Sequence, residues 1–222
     1  MKSKNSTPWY GWLPDRPDYR DRPYAAVAPK LARLPAVVDL RAKCSAVENQ
    51  GNIGSCTAQA LVGNLEFLQV QAGLNPLQLS RLFVYWNERA MLGDTDADSG
   101  AFLRDGIKTL VKLGACAEEL WPYDPGAFAT KPGRRCYRDG RRRQVTSYFR
   151  IATLAEMRQC LADGYPFVFG FTVYSAFESQ AVARTGRLNL PGSGETVMGG
   201  HAVMAVGYGA LPAECLAAQG SA

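Results

Sequence analysis

"ENQGNIGSCTAQALVGNLEFL", residues 48–68, places a glutamine, two glycines and a cysteine directly ahead of an apolar run. Ala58, Leu61, Val62, Leu65 and Leu68 recur at the spacing of one helical face, and Gly73 offers a stop. Cys56 therefore stands where a helix begins. Unpaired N–H groups and the helix dipole at such a start favour a thiolate over a thiol. The competing reading is a small buried hydrophobe, a common role for a free cysteine. A partner elsewhere in the chain must decide between them.

Only one histidine exists, His201. It opens "GGHAVMAVGYG" (199–209), an apolar stretch of small residues that reads as a strand, with Gly199 and Gly200 leaving room beside the ring. A cysteine nucleophile needs such a group to stabilise its thiolate and later to protonate the leaving amine. The oxyanion formed on attack needs donors as well. Gln50, six residues ahead of Cys56, and the backbone N–H of Cys56 could supply two. The bland reading of a lone histidine is a satisfied structural residue.

The 222 residues allow one large domain or two modest lobes, and a hydrophobic content of 47% implies a packed core. No run of 18 apolar residues suggests a transmembrane helix, and the start lacks the apolar core of a signal peptide, so a cytoplasmic location is the default expectation. Six cysteines (44, 56, 116, 136, 160, 215) form no C-x-x-C pair; with a single histidine, a zinc site is not expected. A Cys116–Cys136 bridge is one option, but spacing does not fix connectivity. The net charge of +5 is mostly local, carried by "KPGRRCYRDGRRR" (131–143). That run reads as a solvated loop; binding to nucleic acid is the alternative, without an aromatic platform beside it.

Residues 1–35 stand apart. Prolines at 8, 14, 17, 23, 29 and 35 alternate with Trp9, Tyr10, Trp12, Tyr19 and Tyr24, which precludes regular helix yet gives the segment something to bury. It reads as an extended arm packed on the body. Helices are expected at 56–72, at 79–92 with Ser80 as cap, at 101–114 and at 154–164; 93–100 is a polar loop. "PFVFGFTVY" (166–174) reads as a buried strand. Helices first and strands later indicate an α+β fold with a helical half, a sheet half and a cleft between them.

"NQGNIGSC" resembles the active-site motif of papain-like cysteine proteases, and His201 follows Cys56 by about 145 residues, within the roughly 130–150 of that signature. "DSGAFLRDGIKTLVKLGACAEELWPYD" is similar to the family's substrate strip, the helix after it and a Tyr-Pro-Tyr-like turn; "GYPFVFGFTVYSAF" and "GGHAVMAVGYG" resemble the strands before and at the histidine. The resemblance implies a papain-like α+β fold, with a helical lobe at about 40–130 and an antiparallel β lobe at about 144–209 within a domain spanning 36–209. It implies a peptidase acting on peptides or proteins without cofactor or metal. Cys56 would be the nucleophile, His201 the general acid/base and Gln50 an oxyanion donor. Ser99 and Gly100 would match the strip that pairs with substrate backbone, and Gly200 would line the same cleft.

Three departures accompany the likeness. Thr57 replaces the family's Trp or Tyr, and Ile53 replaces a disulfide cysteine. No Asn-Ser-Trp-Gly motif follows "GYG"; the chain reads "ALPAECLAAQGSA" instead, an atypical tail at 210–222. Without the orienting Asn the imidazole is less constrained. The expectation is thus a sequence truncated before that motif. Two readings stay open: a working Cys–His peptidase, or an inactive papain-like protein that binds peptides or reflects a damaged gene.

Overall fold

The computed structural model describes residues 10–28 and 33–209. The first helix, α1 (Cys56–Gln71), begins at the cysteine itself and closes at Ala72, with Gly73 taking the left-handed conformation (φ +72°) that ends it. Its first two turns are buried nearly all round, so α1 is the central helix rather than a surface one. Next, α2 (Arg81–Leu92) is capped by Ser80, whose hydroxyl accepts from the Phe83 N–H at 3.1 Å, and it stops at left-handed Gly93. Residues 101–114 divide: Ala101–Phe102 is a two-residue strand, β3, and α3 runs over Leu103–Leu113. The expected helix thus starts two residues late, because those two residues pair with another strand.

The three helices meet around Glu88. Thr57 Oγ1 donates to its carboxylate at 2.5 Å from α1, and Gly106 of α3 lies so close that a Cβ there would stand 2.6 Å from Oε2. Ile53, Leu61, Leu79, Leu82, Phe83 and Leu110 surround this junction as apolar core. A buried ion pair lies nearby: Arg81 pairs with Glu66 at 2.9 Å, and Glu66 also accepts from Ser45 and from the Leu79 N–H. Buried ions are tolerated only when bonded in this way.

The basic run is folded rather than looped. Arg134–Gly140 forms a short helix, α4, followed by a 3-10 turn at Arg141–Arg143. Asp139 accepts from the Arg143 guanidinium at 2.6 Å and from the Ala117 N–H, which ties this segment to the helical half. Cys116 and Cys136 are buried free thiols, so the bridge considered from the sequence is not formed.

The sheet half rests on a long hairpin. After α5 (Leu154–Ala162), started by a Thr153/Glu156 capping box, β4 (Phe167–Tyr174) pairs antiparallel with β5 (Val197–Ala205). Phe171 lies opposite His201 and Gly170 opposite Ala202. The short helix α6 (Gln180–Thr185) sits in the connection. Only Val173 of β4 is fully buried, so this strand is half-covered rather than the buried strand its apolar run predicts. One face of the hairpin packs on α1. Farther on, β6 (Gly207–Tyr208) pairs antiparallel with β2 (Val38–Asp39). Residues 210–222, the atypical tail, lie outside the described residues. No described helix is long and apolar enough to cross a membrane.

Of the arm, residues 10–28 are described. Trp12–Leu13 forms β1, which runs parallel to β3 with Trp12 opposite Ala101 and Leu13 opposite Phe102. Beyond it, Arg104 of α3 grips Asp21 at 2.5 Å and Asp15 at 3.6 Å, and Tyr24 donates to Asp163 at 2.6 Å. Residues 10–28 thus pack on both halves, while residues 1–9 and 29–32 of the expected 1–35 arm lie outside the described residues.

Candidate active site

Two loops set the position of Cys56. Gly54 donates its N–H to both oxygens of Asp98, at 2.9 and 3.0 Å, and Tyr85 OH donates to the same carboxylate. Asp98 is fixed in turn by Arg89, wholly buried, whose guanidinium donates to the carbonyls of Thr95 and Ala97, both at 2.8 Å. The polar 93–100 segment is therefore held rigid from beneath. Ser55 shares a 2.5 Å hydrogen bond with Tyr123, which also donates to the Gln50 carbonyl at 2.8 Å. The turn ahead of α1 is clamped from both sides, and Cys56 has no freedom to drift.

At Cys56 the two halves meet. The sulfur is fully buried, and burial pushes the thiol up to about 11; backbone amides of Ala202, Gly11 and Thr57 pull the other way by donating toward it. Ala202 follows His201 directly, so β5 brings the backbone beside the histidine to the Cys56 sulfur. His201 stands in an aromatic cage of Tyr10, Phe171 and Phe177, with ring centroids 5.7, 5.9 and 6.0 Å away. Burial lowers its pKa to about 4. Its Nδ1 is buried and has no partner among the described residues. A raised thiol and a lowered imidazole both oppose an ion pair, so in this state the two groups are neutral.

The arm is the cause of that dryness. Gly11 bridges Gly200 of β5 on one side, and on the other its carbonyl accepts from the Ala101 N–H at 2.8 Å. Residues 10–13 thus lie as one strand between the sheet half and the helical half, across Cys56. Glycines line the passage. A Cβ on Gly11 would collide with the Gly54 backbone, standing 2.6 Å from its Cα, and one on Gly100 would stand 2.7 Å from the Gly11 Cα. Gly199 likewise faces Tyr10, 2.7 Å from its Cβ.

Five of the six residues singled out in the sequence flank this strand or its neighbours. Gly100 and Gly200 touch it, Ser99 is the exposed residue beside Gly100, and Cys56 and His201 lie against it. Gln50 is in the preceding loop, where its amide donates to the Ile53 carbonyl at 3.0 Å. Sequence reasoning missed Gly11, Asp98 and Glu88. Glu88 is wholly buried near the start of α1, and burial raises its pKa to about 8. Nothing in a helical pattern distinguishes such a carboxylate from a surface one. Among the described residues no group of three or more His, Cys, Asp or Glu could hold a metal ion.

A cleft between helical and sheet halves, with a cysteine at a central helix start and a histidine on the facing strand, defines a papain-like thiol hydrolase. The sequence profile of the papain family cysteine proteases matches residues 34–214, and the chain belongs to that family. It is 36% identical, over 90% of its length and 72% of the relative's, to an uncharacterized peptidase C1-like protein, L477, of Acanthamoeba polyphaga mimivirus. The fold superposes on xylellain, a cysteine protease from Xylella fastidiosa, with a TM-score of 0.83 and 41% identity, covering 91% of this chain and 81% of that one. Procathepsin L 3 from Tenebrio molitor larval midgut shares the fold at a TM-score of 0.62 and 20% identity, over 92% of this chain and 62% of that one. The protein is a hydrolase of the cysteine peptidase class, a family whose substrates are peptides.

Proposed function

We propose that Cys56 is the nucleophile of this peptidase, His201 its general acid/base, and that the N-terminal arm gates access to both. The observation carrying this reading is the meeting of α1 and β5 at one sulfur, with the amides of Thr57 and Ala202 directed toward it. When the arm leaves, water enters, desolvation falls and the proton of Cys56 passes to His201. The thiolate then attacks a peptide carbonyl. Negative charge collects on its oxygen, where the Cys56 N–H and the Gln50 amide are the donors at hand once Gln50 turns from the Ile53 carbonyl. The C–N bond breaks as His201 gives its proton to the leaving amine, which leaves a thioester on Cys56. His201 next takes a proton from water, hydroxide equivalent adds to the thioester, and the acid departs with the thiol regenerated.

The test is selective alkylation. Iodoacetamide or an epoxide probe should modify Cys56 below pH 7 in arm-displaced protein, and His201→Ala should abolish that reactivity. Labelling no faster than at Cys44, Cys116, Cys136 or Cys160 would favour a peptide-binding protein without catalysis.

A further inference from the structure

A helix leaves its first N–H groups without partners of its own, and the N-cap side chain usually accepts from one of them. Ser55, the N-cap of α1, does not, because its hydroxyl is engaged with Tyr123. The Thr57 N–H is directed to the Cys56 sulfur. The Ala58 N–H donates to the Glu88 carboxyl, and Thr57 Oγ1 donates to Glu88 Oε1 at 2.5 Å. The helix that carries Cys56 is thus capped by a carboxyl reaching across from α2, and Thr57 touches both the sulfur and that cap.

The two protonation states of this cap act differently on the thiol. A carboxylate at a helix start compensates the positive end of the dipole that a thiolate would otherwise use, and it repels the thiolate directly. A protonated carboxyl can accept both hydrogen bonds through its carbonyl oxygen and brings no charge. The surroundings favour the second state. Glu88 is wholly buried, its Oε2 has no partner among the described residues, and Gly106 lets α3 close over that oxygen. A charged oxygen without a donor is costly there, so burial raises the pKa to about 8. Asp105 of α3 pushes in the same direction. Arg89, the next residue of α2, pulls the other way, but its guanidinium donates to the carbonyls of Thr95, Ala97 and Phe128. On the α1 side the titratable group is Cys56, whose thiol a charge on Glu88 pushes up.

We propose that Glu88 is a positioning residue of the peptidase: held neutral, it caps α1 through Thr57 and Ala58 while leaving the positive end of the helix to the Cys56 thiolate. The assignment rests on the reading of Cys56 as nucleophile given above. Glu88 touches no substrate and works through Thr57. It also sets an upper pH limit, because once the carboxyl ionises, thiolate forms against a like charge.

The titration of the thiol tests it. The full chain carrying Gly11→Ala and His201→Ala exposes Cys56 without an imidazole partner. Iodoacetamide labelling mapped to Cys56, followed from about pH 6 to 11, then gives the thiol midpoint. Adding Glu88→Gln keeps the shape and an acceptor oxygen but cannot ionise. The midpoint should fall by about one pH unit, the roughly tenfold effect of one like charge at intermediate dielectric. Below about pH 7, where Glu88 is neutral, the two chains should label within about twofold of each other. If the Gln variant does not fold, Thr57→Val removes the donor that lowers the carboxyl's pKa, delays its ionisation and should move the thiol midpoint down as well. An unmoved midpoint, or a rate ratio that is the same at every pH, is what a purely structural carboxyl gives and overturns the proposal. With His201 restored, peptide hydrolysis alongside an unmoved midpoint overturns the role of Glu88 alone. A lowered midpoint without any hydrolysis upholds the link from Glu88 to the thiol and overturns the catalytic reading.

Discussion

Replacing Gly11 by alanine should open the cleft. The new methyl would be driven into the Gly54 backbone, 2.6 Å from its Cα, and Gly54 cannot yield because Asp98 holds its N–H and Arg89 holds the Asp98 loop. Seating of the strand rests on the 2.8 Å bond between the Ala101 N–H and the Gly11 carbonyl, about 1 kcal/mol, and on partial burial of Trp12, about 2 kcal/mol. Overpacking against fixed backbone costs about 1–3 kcal/mol, enough to cancel most of that hold. At 1.4 kcal/mol per decade, a change of about 3 kcal/mol shifts the closed–open balance by roughly 150-fold. The assay is the second-order rate of iodoacetamide labelling at Cys56, resolved from the other thiols by peptide mapping. In the parent chain this rate should be slow at pH 7 and climb only toward the thiol's value of about 11. Gly11→Ala should raise it at least tenfold at pH 7, and His201→Ala should remove the gain. An unchanged rate in a folded variant would refute the glycine lock; an equal rise at every cysteine would mean unfolding instead.

Three further outcomes follow from the same contacts. Arg104→Ala removes the guanidinium that holds Asp15 and Asp21, so trypsin should cut after Arg20 faster, by roughly tenfold for a loss of 1.4 kcal/mol; proteolysis at the parent rate would mean Arg104 does not hold the arm. Glu88 has its pKa raised to about 8 by burial, so the folded state binds a proton that the unfolded chain has released between about pH 4.5 and 8, and stability falls as pH rises through that window. Glu88→Gln should therefore melt higher than the parent at pH 8.5 and match it near pH 4.5, read by thermal denaturation; a constant offset at all pH values would contradict a buried neutral carboxyl. As the only histidine, His201 gives a single set of imidazole NMR signals: these should stay neutral down to about pH 4 in the parent, because burial depresses the folded pKa, and protonate at higher pH in Gly11→Ala. Folding stability contributed by that neutral ring is present above pH 6.5 and lost as pH falls toward 4.

Much of this architecture was legible because it is local. The Ser80 cap, the stop at Gly93 and the apolar face after Cys56 each lie within a few residues of what they control. The order of glycine turn, Cys56 helix, 93–100 loop and His201 strand was legible as a family likeness. What the sequence withheld depends on contacts across the chain. Nothing in "WYGWLP" tells that Gly11 bridges Gly200 and bonds Ala101, because its two partners lie far along the chain in different lobes. Ala101 and Phe102 looked helical because their role as a strand requires the arm as partner. The basic 131–143 run looked solvated because in sequence Asp139, the residue that organises it, is one acid among seven Lys and Arg; in space it also accepts from the Ala117 N–H.

The short strand that bars the cleft is covalently attached to the protein it blocks. A tethered ligand experiences an effective concentration in the millimolar range for short linkers, which favours the seated strand even though its pairing with β3 is only two residues long. Everything that fastens the arm from Asp15 onward serves to maintain that local concentration. One backbone cut between Leu13 and Asp15 would leave those anchors in place yet turn the blocking strand into a free peptide. Dilution would then do the rest: the site would change from permanently occupied to permanently vacant in a single step that no refolding could reverse.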